Sequence, residues 1–506
     1  MIQETFFEDK LPQSRNIVTY QKGVIVLKED HTENTEKLGF PALTAMVIGS
    51  MIGAGIFMLP RRFAEATGVY GTLLSWGIAG CGMLMLAFVF QSLAIRKPDL
   101  DAGVFAYAKA GFGNYVGFIA AIGFWASACA GNVTYLVLIK STLGTVFPAL
   151  GEGDTVLALI LSSILIWLFV WLILRGVQQA TTINTIATVA KLVPIALFLL
   201  VVVFAFKPDV FMYNLMGTPA GSQETLFSQL SAAMLITVFV FLGIEGASIY
   251  SRYAKSRKDV GRATVLGFLS VLTLLMLVTL LSYGVLPREE MAQLRQPSLG
   301  GILETVVGSW GSILISIGLI VSVLGAYLAW TLMSAEVLFA AAKNRDMPKF
   351  ISKETAKGVP KNALLMSAGL TQLILLATYA SDGALDFALD LTSTLALLPF
   401  FLTALYAVKI AGTRDGYAGI APRRRHTEMV TAAIAVVYTA FSLYAAGTQF
   451  MLLACLLLAP ATILYRQARR EQAVLLFKNY EKVILVVLTV GALVAIVGLA
   501  TGWISI

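Results

Sequence analysis

The feature that most constrains this chain is the recurrence, along most of its length, of apolar runs of 18 or more residues. Hydrophobic residues make up 58% of the 506 residues and charged residues only 13%. A water-soluble protein of this size could not bury so much apolar surface, whereas about 20 apolar residues cross a bilayer as a helix. We therefore predict an all-α polytopic membrane protein with about 13 transmembrane helices. The predicted spans are residues 40–60, 70–95, 112–140, 154–174, 181–206, 228–250, 263–286, 310–340, 362–380, 386–410, 428–446, 448–465 and 482–504.

The distribution of basic residues predicts the orientation of these spans. If residues 1–38 form a cytosolic tail, the segments on the cytosolic side hold 30 of the 37 Lys and Arg residues, and the opposite segments hold six. Because Lys and Arg accumulate in cytoplasmic loops, this asymmetry favours a multi-pass protein of the cell (inner) membrane with a cytoplasmic N-terminus. The polar, mixed-charge first 38 residues show no cleavable signal peptide. The net charge of +8 follows from this topology, so we expect no nucleic-acid partner.

A glycine-rich interruption of the first span indicates a binding site. Gly49, Gly53 and Gly55 fall within seven residues, which disfavours a continuous helix. In lipid, unwound backbone is tolerated only where it lines a cavity, because its N–H and C=O groups find no water there. The end of a half-helix offers N–H groups and a positive dipole to an anion, such as a carboxylate. The alternative interpretation is a glycine-rich face for helix packing.

A second interruption lies in the sixth span, where Gly243 and Gly246 flank Glu245. Paired interruptions in two halves of one chain are typical of secondary transporters built from repeats. Because each repeat would hold five spans, an odd number, the second repeat is inverted. We predict a five-plus-five inverted-repeat (LeuT-like) fold with broken first and sixth helices. Its parts are the cytosolic tail 1–38, the first repeat 39–206, the second repeat 207–410 and additional transmembrane helices in 411–506.

The sequence offers little for catalysis or for a cofactor. Its three cysteines lie within apolar runs, it has no CxxC motif or Cys/His cluster, and both histidines lie outside the predicted spans. We therefore expect no metal, no cofactor and no enzymatic activity. The GxxxxGK[ST] motif that binds ATP phosphates is also missing, which agrees with secondary transport.

Four motifs resemble the amino acid–polyamine–organocation superfamily, specifically its basic amino acid/polyamine antiporters. The motifs are the first break with Leu59-Pro60, the loop at 98–113, the sixth-span segment 243–248, and Ala329-Trp330 in the eighth span. Within that family, Gly243 to Gly267 and the thirteenth span, which ends near Thr501-Gly-Trp, most resemble the arginine/ornithine antiporters. The resemblance implies exchange by alternating access without covalent chemistry. A cationic amino acid would enter a central pocket, and a related amino acid or amine would leave by the same site, with arginine and ornithine as the leading pair. A homodimer is also compatible with the family.

The resemblance also implies which residues contact the substrate. Backbone N–H groups at the first break would bind its carboxylate, and carbonyls at the second break its α-ammonium group. Aromatic side chains would cover it, although arginine/agmatine antiporters have tryptophan at the position of Phe239 and serine at that of Ala54. Packing is the alternative role for Trp330, and helix–helix hydrogen bonding that for Asn132. The predicted substrate-binding residues are Ile52, Gly53, Ala54, Gly55, Ser127, Ala128, Asn132, Phe239, Leu242, Gly243, Trp330 and Thr392.

Ionisable residues within spans are candidates for gating and proton coupling. By resemblance, Glu245 couples gating to protonation, and Lys191 stands where sodium-coupled relatives bind the ion, so it could brace the first and eighth helices. Snorkelling or a paired lysine is the alternative for Lys191. Asp390 could attract the second positive charge of the substrate, although a helix N-terminal turn favours carboxylates anyway. Glu336 lies six residues beyond Trp330 and would belong to an inner gate.

Other functions stay open at the level of sequence. A proton-coupled amino acid symporter or a uniporter would use the same fold, and antiporters of lysine/cadaverine or histidine/histamine would share the same motifs. A membrane-embedded sensor or enzyme finds no support in a metal cluster, a nucleophile–histidine pair or a large soluble domain. Two broken helices at related positions favour alternating access over a channel.

Overall fold

The structure is a computed structural model that describes residues 18–21, 24–27, 39–100, 104–176, 180–216, 225–245, 257–381 and 383–504. Most of the predicted cytosolic tail lies outside these residues. Residues 101–103 of the loop motif and residues 246–248 of the sixth-span motif, with Gly246, also lie outside them.

Helices account for nearly all of the described secondary structure. Short 3₁₀ helices occupy Ala54–Met58, Pro148–Leu150 and Lys349–Ser352. In chain order the α-helices are α1 Phe40–Met51, α2 Leu59–Ala66, α3 Val69–Arg96, α4 Val104–Phe112, α5 Asn114–Leu143, α6 Val156–Leu174, α7 Ala180–Ala205, α8 Pro208–Tyr213, α9 Leu226–Phe241, α10 Arg257–Ser282, α11 Arg288–Ala292, α12 Ser298–Val307, α13 Ser309–Lys343, α14 Lys361–Thr378, α15 Ala384–Thr413, α16 Pro422–Ala445, α17 Gly447–Glu471 and α18 Asn479–Thr501.

The strand pairing in the described residues is a short antiparallel pair within the predicted tail. β1, Val18–Gln21, pairs with β2, Val24–Leu27, in a register that sets Val18 opposite Leu27. This pair precedes the first span. The described residues of the predicted spans are helical, apart from the breaks and the span ends, as predicted.

The predicted spans coincide with helices. Within the described residues, nine helices are long and apolar enough to cross a membrane: α3, α5, α6, α10, α13, α15, α16, α17 and α18. A tenth span is formed by two pieces of the first predicted span, which meet at an angle of 47°. The remaining three predicted spans correspond to α7, α9 and α14, and α9 is short because it ends at the second break.

The helix α5 forms the centre of the bundle. All of its most apolar 18-residue stretch is buried, against 22% of that stretch in α18 at the periphery. Small residues allow this burial because they let neighbouring backbones approach. A Cβ at Gly123, for example, would lie 3.2 Å from the carbonyl oxygen of Leu395 in α15. The central helix therefore carries Ser127, Asn132 and their neighbours into the middle of the protein.

The helix α7 packs against α13 and brings a lysine to the first span. A Cβ at Gly318 of α13 would lie 2.7 Å from the carbonyl oxygen of Ala190 and 2.4 Å from the ring of Pro194. This close contact fixes the position of Lys191, one residue after Ala190, over the end of α1.

Candidate functional site

The first break lies where the glycines predict it. The helix α1 ends at Met51, Ile52 and Gly53 adopt extended conformations, and a 3₁₀ turn begins at Ala54. The residues of this turn are buried, so the unwound backbone lies in the protein interior rather than in lipid. The break thus leaves carbonyl groups of α1 and N–H groups of the turn without the hydrogen-bond partners that a continuous helix would supply.

The second break lies directly against the first. The helix α9 ends at Phe241, and Gly243 adopts the left-handed conformation with φ +105°. The Ser50 hydroxyl donates to the carbonyl of Gly243 at 3.2 Å. A Cβ at Gly243 would lie only 2.4 Å from the carbonyl oxygen of Ser50, so both the backbone angle and the contact require glycine here. Glu245 is buried, and its Oε2 accepts from the N–H of Gly243 at 3.1 Å.

Lys191 connects α7 to the first break. Its Nζ donates to the carbonyl of Ile52 at 2.6 Å and to that of Gly49 at 2.8 Å, and the residue is 7% exposed. Both carbonyls belong to the C-terminal turn of α1, where a cation also interacts favourably with the helix dipole. The lysine is therefore a paired residue of the site rather than a snorkelling one.

A narrow cavity of about 20 Å³ lies between the two breaks. This volume suffices for about one water molecule, so the walls of the cavity lie close together. Eight of the twelve predicted substrate-binding residues line it, namely Ile52, Gly53, Ala54, Gly55, Phe239, Leu242, Trp330 and Thr392. The structure thus brings together residues from the first, sixth, eighth and tenth predicted spans.

The other four predicted residues lie outside this lining. Gly243 forms the contact with Ser50 described above, and Ala128 is fully buried. The Ser127 hydroxyl donates to the carbonyl of Thr392 at 2.8 Å, which holds α5 against α15. The Asn132 amide donates to the Thr331 hydroxyl at 3.3 Å, which fits the helix–helix role. Its Oδ1, however, has no hydrogen-bond partner among the described residues and remains a free acceptor.

Several lining residues were missed by the sequence analysis. They are Ser50, Met51, Ile56, Gly131, Tyr135, Val240 and Leu275. Tyr135 is the most polar of those on α5, and a Cβ at Gly53 would lie 3.6 Å from its hydroxyl. Tyr135 lies one turn beyond Gly131 on the same face of α5, but Gly131 was itself missed, so helical spacing gave no signal that selects Tyr135.

An ion-pair cluster lies at the end of the bundle that the first span reaches, which we call the far face. Arg62 of α2 pairs with Asp386 and with Asp390 of α15, each at 3.0 Å, and with Glu65 at 3.7 Å. Since Asp390 is two residues before the cavity residue Thr392, the cluster joins α2 to α15 beside the cavity. Asp390, predicted to attract the positive charge of the substrate, forms its ion pair with Arg62 of the protein itself.

The far face is further fastened by Arg288. Its Nε donates to the carbonyl of Ala64 at 2.6 Å and its Nη2 to that of Glu65 at 3.2 Å, at the end of α2. Together with the pairs of Arg62, these bonds hold the half-helix α2 in place beside the cavity.

Glu336 lies apart from the cavity. It is on α13, six residues beyond Trp330 and toward the face where the first span begins, and it is exposed. We call that face the N-terminal face. This position leaves Glu336 accessible from that face, away from the cavity lining.

Comparisons with known proteins agree with this arrangement. A family model for amino acid permeases matches residues 38–463. The arginine/ornithine antiporter of Pseudomonas aeruginosa is 47% identical over 480 residues, which cover 94% of this chain and 99% of that protein. The L-lysine transport protein of Corynebacterium glutamicum is 38% identical over 92% of this chain and 95% of its own length. The arginine/agmatine antiporter of Chlamydia abortus is 37% identical over 87% of this chain and 91% of its own length.

These matches cover both breaks, Lys191 and the whole cavity, and the family consists of transporters, which accounts for a site built without catalytic groups. The chain therefore belongs to the amino acid permease family, within the amino acid–polyamine–organocation superfamily that its motifs resemble.

Proposed function

We propose that this protein is a secondary transporter that exchanges arginine for ornithine by alternating access. The observation that carries the proposal is the narrow cavity between two broken helices, lined by backbone groups of residues 52–55 and by Trp330. Such a site offers N–H donors to a carboxylate and an aromatic face to a guanidinium or ammonium group. The names of the relatives support the choice of arginine and ornithine.

The cationic end of the substrate would be held without a permanent ion pair. Trp330 offers its ring, and the free Oδ1 of buried Asn132 lies one residue from the lining residue Gly131. A neutral acceptor with an aromatic ring suits both a guanidinium and a shorter ammonium chain, as exchange of arginine for ornithine requires.

Gating would involve the charged residues around the cavity. Asp390, with Arg62, would form the outer gate, and Glu336 would belong to the inner one. Glu245 at the second break would couple closure to protonation. Lys191 would replace a bound sodium ion by holding the carbonyls of Gly49 and Ile52.

The excess of Lys and Arg on the N-terminal face supports a cell-membrane location with that face in the cytosol. The far face, where Arg62 forms its ion pairs, would then be extracellular. The proposed repeats are residues 39–206 and 207–410, with residues 411–506 as additional helices.

The test is uptake of labelled arginine into proteoliposomes loaded with ornithine. Uptake should require internal ornithine, should be unaffected by a sodium gradient and should be lost in Trp330→Ala. Trp310→Ala is the matched control, because Trp310 lies on the same helix α13 but is 51% exposed at the periphery. Uptake into empty vesicles driven by a proton gradient would instead identify a symporter. Absence of arginine uptake under every loading, with uptake of lysine, would identify another substrate pair.

A further inference from the structure

The N-terminal-face end of the last two helices carries a group of unpaired cations. α17 and α18 are joined by a short loop and pack closely, since a Cβ at Gly491 would lie 2.9 Å from Sγ of Cys455. At this end of the pair lie Arg466, Arg470, Lys478 and Lys482, which we call the basic end of α17 and α18. All four are exposed.

Within the described part of the chain, none of these four side chains forms an ion pair, and none donates a hydrogen bond. The neighbouring carboxylates are used elsewhere. Glu471 accepts from the N–H of Lys349 at 2.8 Å and from Gln467 at 3.2 Å. Glu481 is 2% exposed and accepts backbone N–H groups of Tyr115 and Lys478. The basic end therefore keeps its positive charge.

Exposed apolar side chains surround these cations. Leu475 in the loop is 70% exposed, Ile463 on α17 is 68% exposed and Val483 on α18 is 63% exposed. The loop is held in this position by Arg469, which donates to the carbonyl of Leu475 at 2.8 Å and 3.0 Å. Cations at the end of two membrane helices, bordered by exposed apolar residues, match a ligand with a negative headgroup and acyl chains.

We propose that the basic end of α17 and α18 binds an anionic phospholipid. The phosphate lies between the arginines of α17 and the lysines of α18, and the acyl chains run along Ile463 and Val483 toward the membrane interior. Charge complementarity and the adjoining apolar surface select a lipid over a soluble anion, because a free phosphate would leave the apolar side chains uncovered. This site is separate from the cavity and does not depend on which amino acids are exchanged.

The experiment measures lipid retention by native mass spectrometry. The purified full-length protein is mixed with equal amounts of phosphatidylglycerol and phosphatidylcholine. Wild type should retain phosphatidylglycerol preferentially. The variant Arg470→Gln/Lys478→Gln should bind it about thirtyfold more weakly, since each cation near an anionic lipid contributes about 1 kcal/mol, or about fivefold.

The control is Lys353→Gln/Lys361→Gln, which removes two exposed cations of the same face, one before α14 and one at its first residue, and should retain the lipid as wild type does. Thermal unfolding of both variants shows whether they fold. Equal retention of the two lipids by wild type, or unchanged retention by Arg470→Gln/Lys478→Gln, would overturn the proposal. Displacement of the lipid by millimolar glycerol phosphate would overturn it too, because the site would then bind a soluble anion.

Discussion

Lys191 places its ammonium group 2.6 Å from the carbonyl oxygen of Ile52, the first residue of the unwound segment in the first span. A second bond reaches Gly49 one turn earlier. One side chain from α7 thus satisfies two carbonyls that the break leaves without helical partners. This contact stabilises the unwound segment in a place where water is scarce, so the geometry of the break depends on the lysine.

The first prediction concerns this contact. Lys191→Met keeps the length of the side chain but leaves two buried carbonyls unsatisfied, at about 1–3 kcal/mol each. We expect a lower melting temperature and at least about a tenfold loss of exchange. Lys409→Met is the control. Lys409 also donates to a backbone carbonyl, that of Gly111 at 2.5 Å, but it lies at the N-terminal face, away from the break. A Lys191→Met protein that exchanges arginine as fast as wild type would contradict the role of the lysine.

The second prediction compares two glycines of the two breaks. Gly243→Ala forces a left-handed φ on alanine and sets its Cβ 2.4 Å from Ser50, so the two breaks must move apart. We expect little folded protein, measured by fluorescence-detected size exclusion and thermal unfolding. Gly49→Ala is the control, because nothing lies within 4 Å of its Cβ and alanine favours a helix by about 1 kcal/mol. Equal stability of the two variants would show that the breaks do not press on each other.

Much of the fold could be predicted because it is local. Glycine spacing indicated that the helix of the first span is interrupted between Gly49 and Gly55, and apolar runs indicated where each helix lies, since both signals depend on neighbouring residues. Eight of the cavity residues, from the first, sixth, eighth and tenth spans, were also predicted through the resemblance to the family.

The contacts between distant residues could not be predicted in the same way. Arg62 and Asp390 are 328 positions apart, and the sequence placed Arg62 only among the few cations of the far side. Their pairing depends on how α2 and α15 are rotated in the bundle. The same holds for Tyr135, because only the rotation of α5 decides which of its uniformly buried residues meet Gly53.

The third prediction concerns the ion pairs by which Arg62 holds α2 against α15 at the far face. Each charge-assisted bond contributes about 1.5–3 kcal/mol, so loss of the pairs with Asp386 and Asp390 should shift the protein at least about tenfold toward a far-side open state. Arg62→Gln should therefore expose the cavity residue Ile56, replaced by cysteine, to an impermeant thiol reagent added on the far side. The three native cysteines are replaced by alanine for this measurement.

The control for this labelling is Arg96→Gln. Arg96 pairs with Glu428 at 2.7 Å near the N-terminal face, so its loss should leave far-side labelling unchanged. Equal labelling of the reporter cysteine with and without Arg62 would mean that the ion pairs do not close the cavity.

The last prediction concerns Tyr135 and the carboxylate of the substrate. Its hydroxyl lies beside Gly53, where the break would present N–H groups, so it is placed to donate to the same carboxylate. Such a bond to a charged group contributes about 1.5–3 kcal/mol, and Tyr135→Phe should raise KM for arginine and ornithine alike by about tenfold or more. Agmatine, which is arginine without the carboxylate, should inhibit wild type and Tyr135→Phe equally well. Tyr327→Phe is the control, since Tyr327 is a buried tyrosine of α13 outside the cavity lining. If Tyr135→Phe weakens the inhibition by agmatine as much as it weakens the binding of arginine, the hydroxyl faces the cationic end of the substrate. The orientation of the substrate in the cavity must then be reversed.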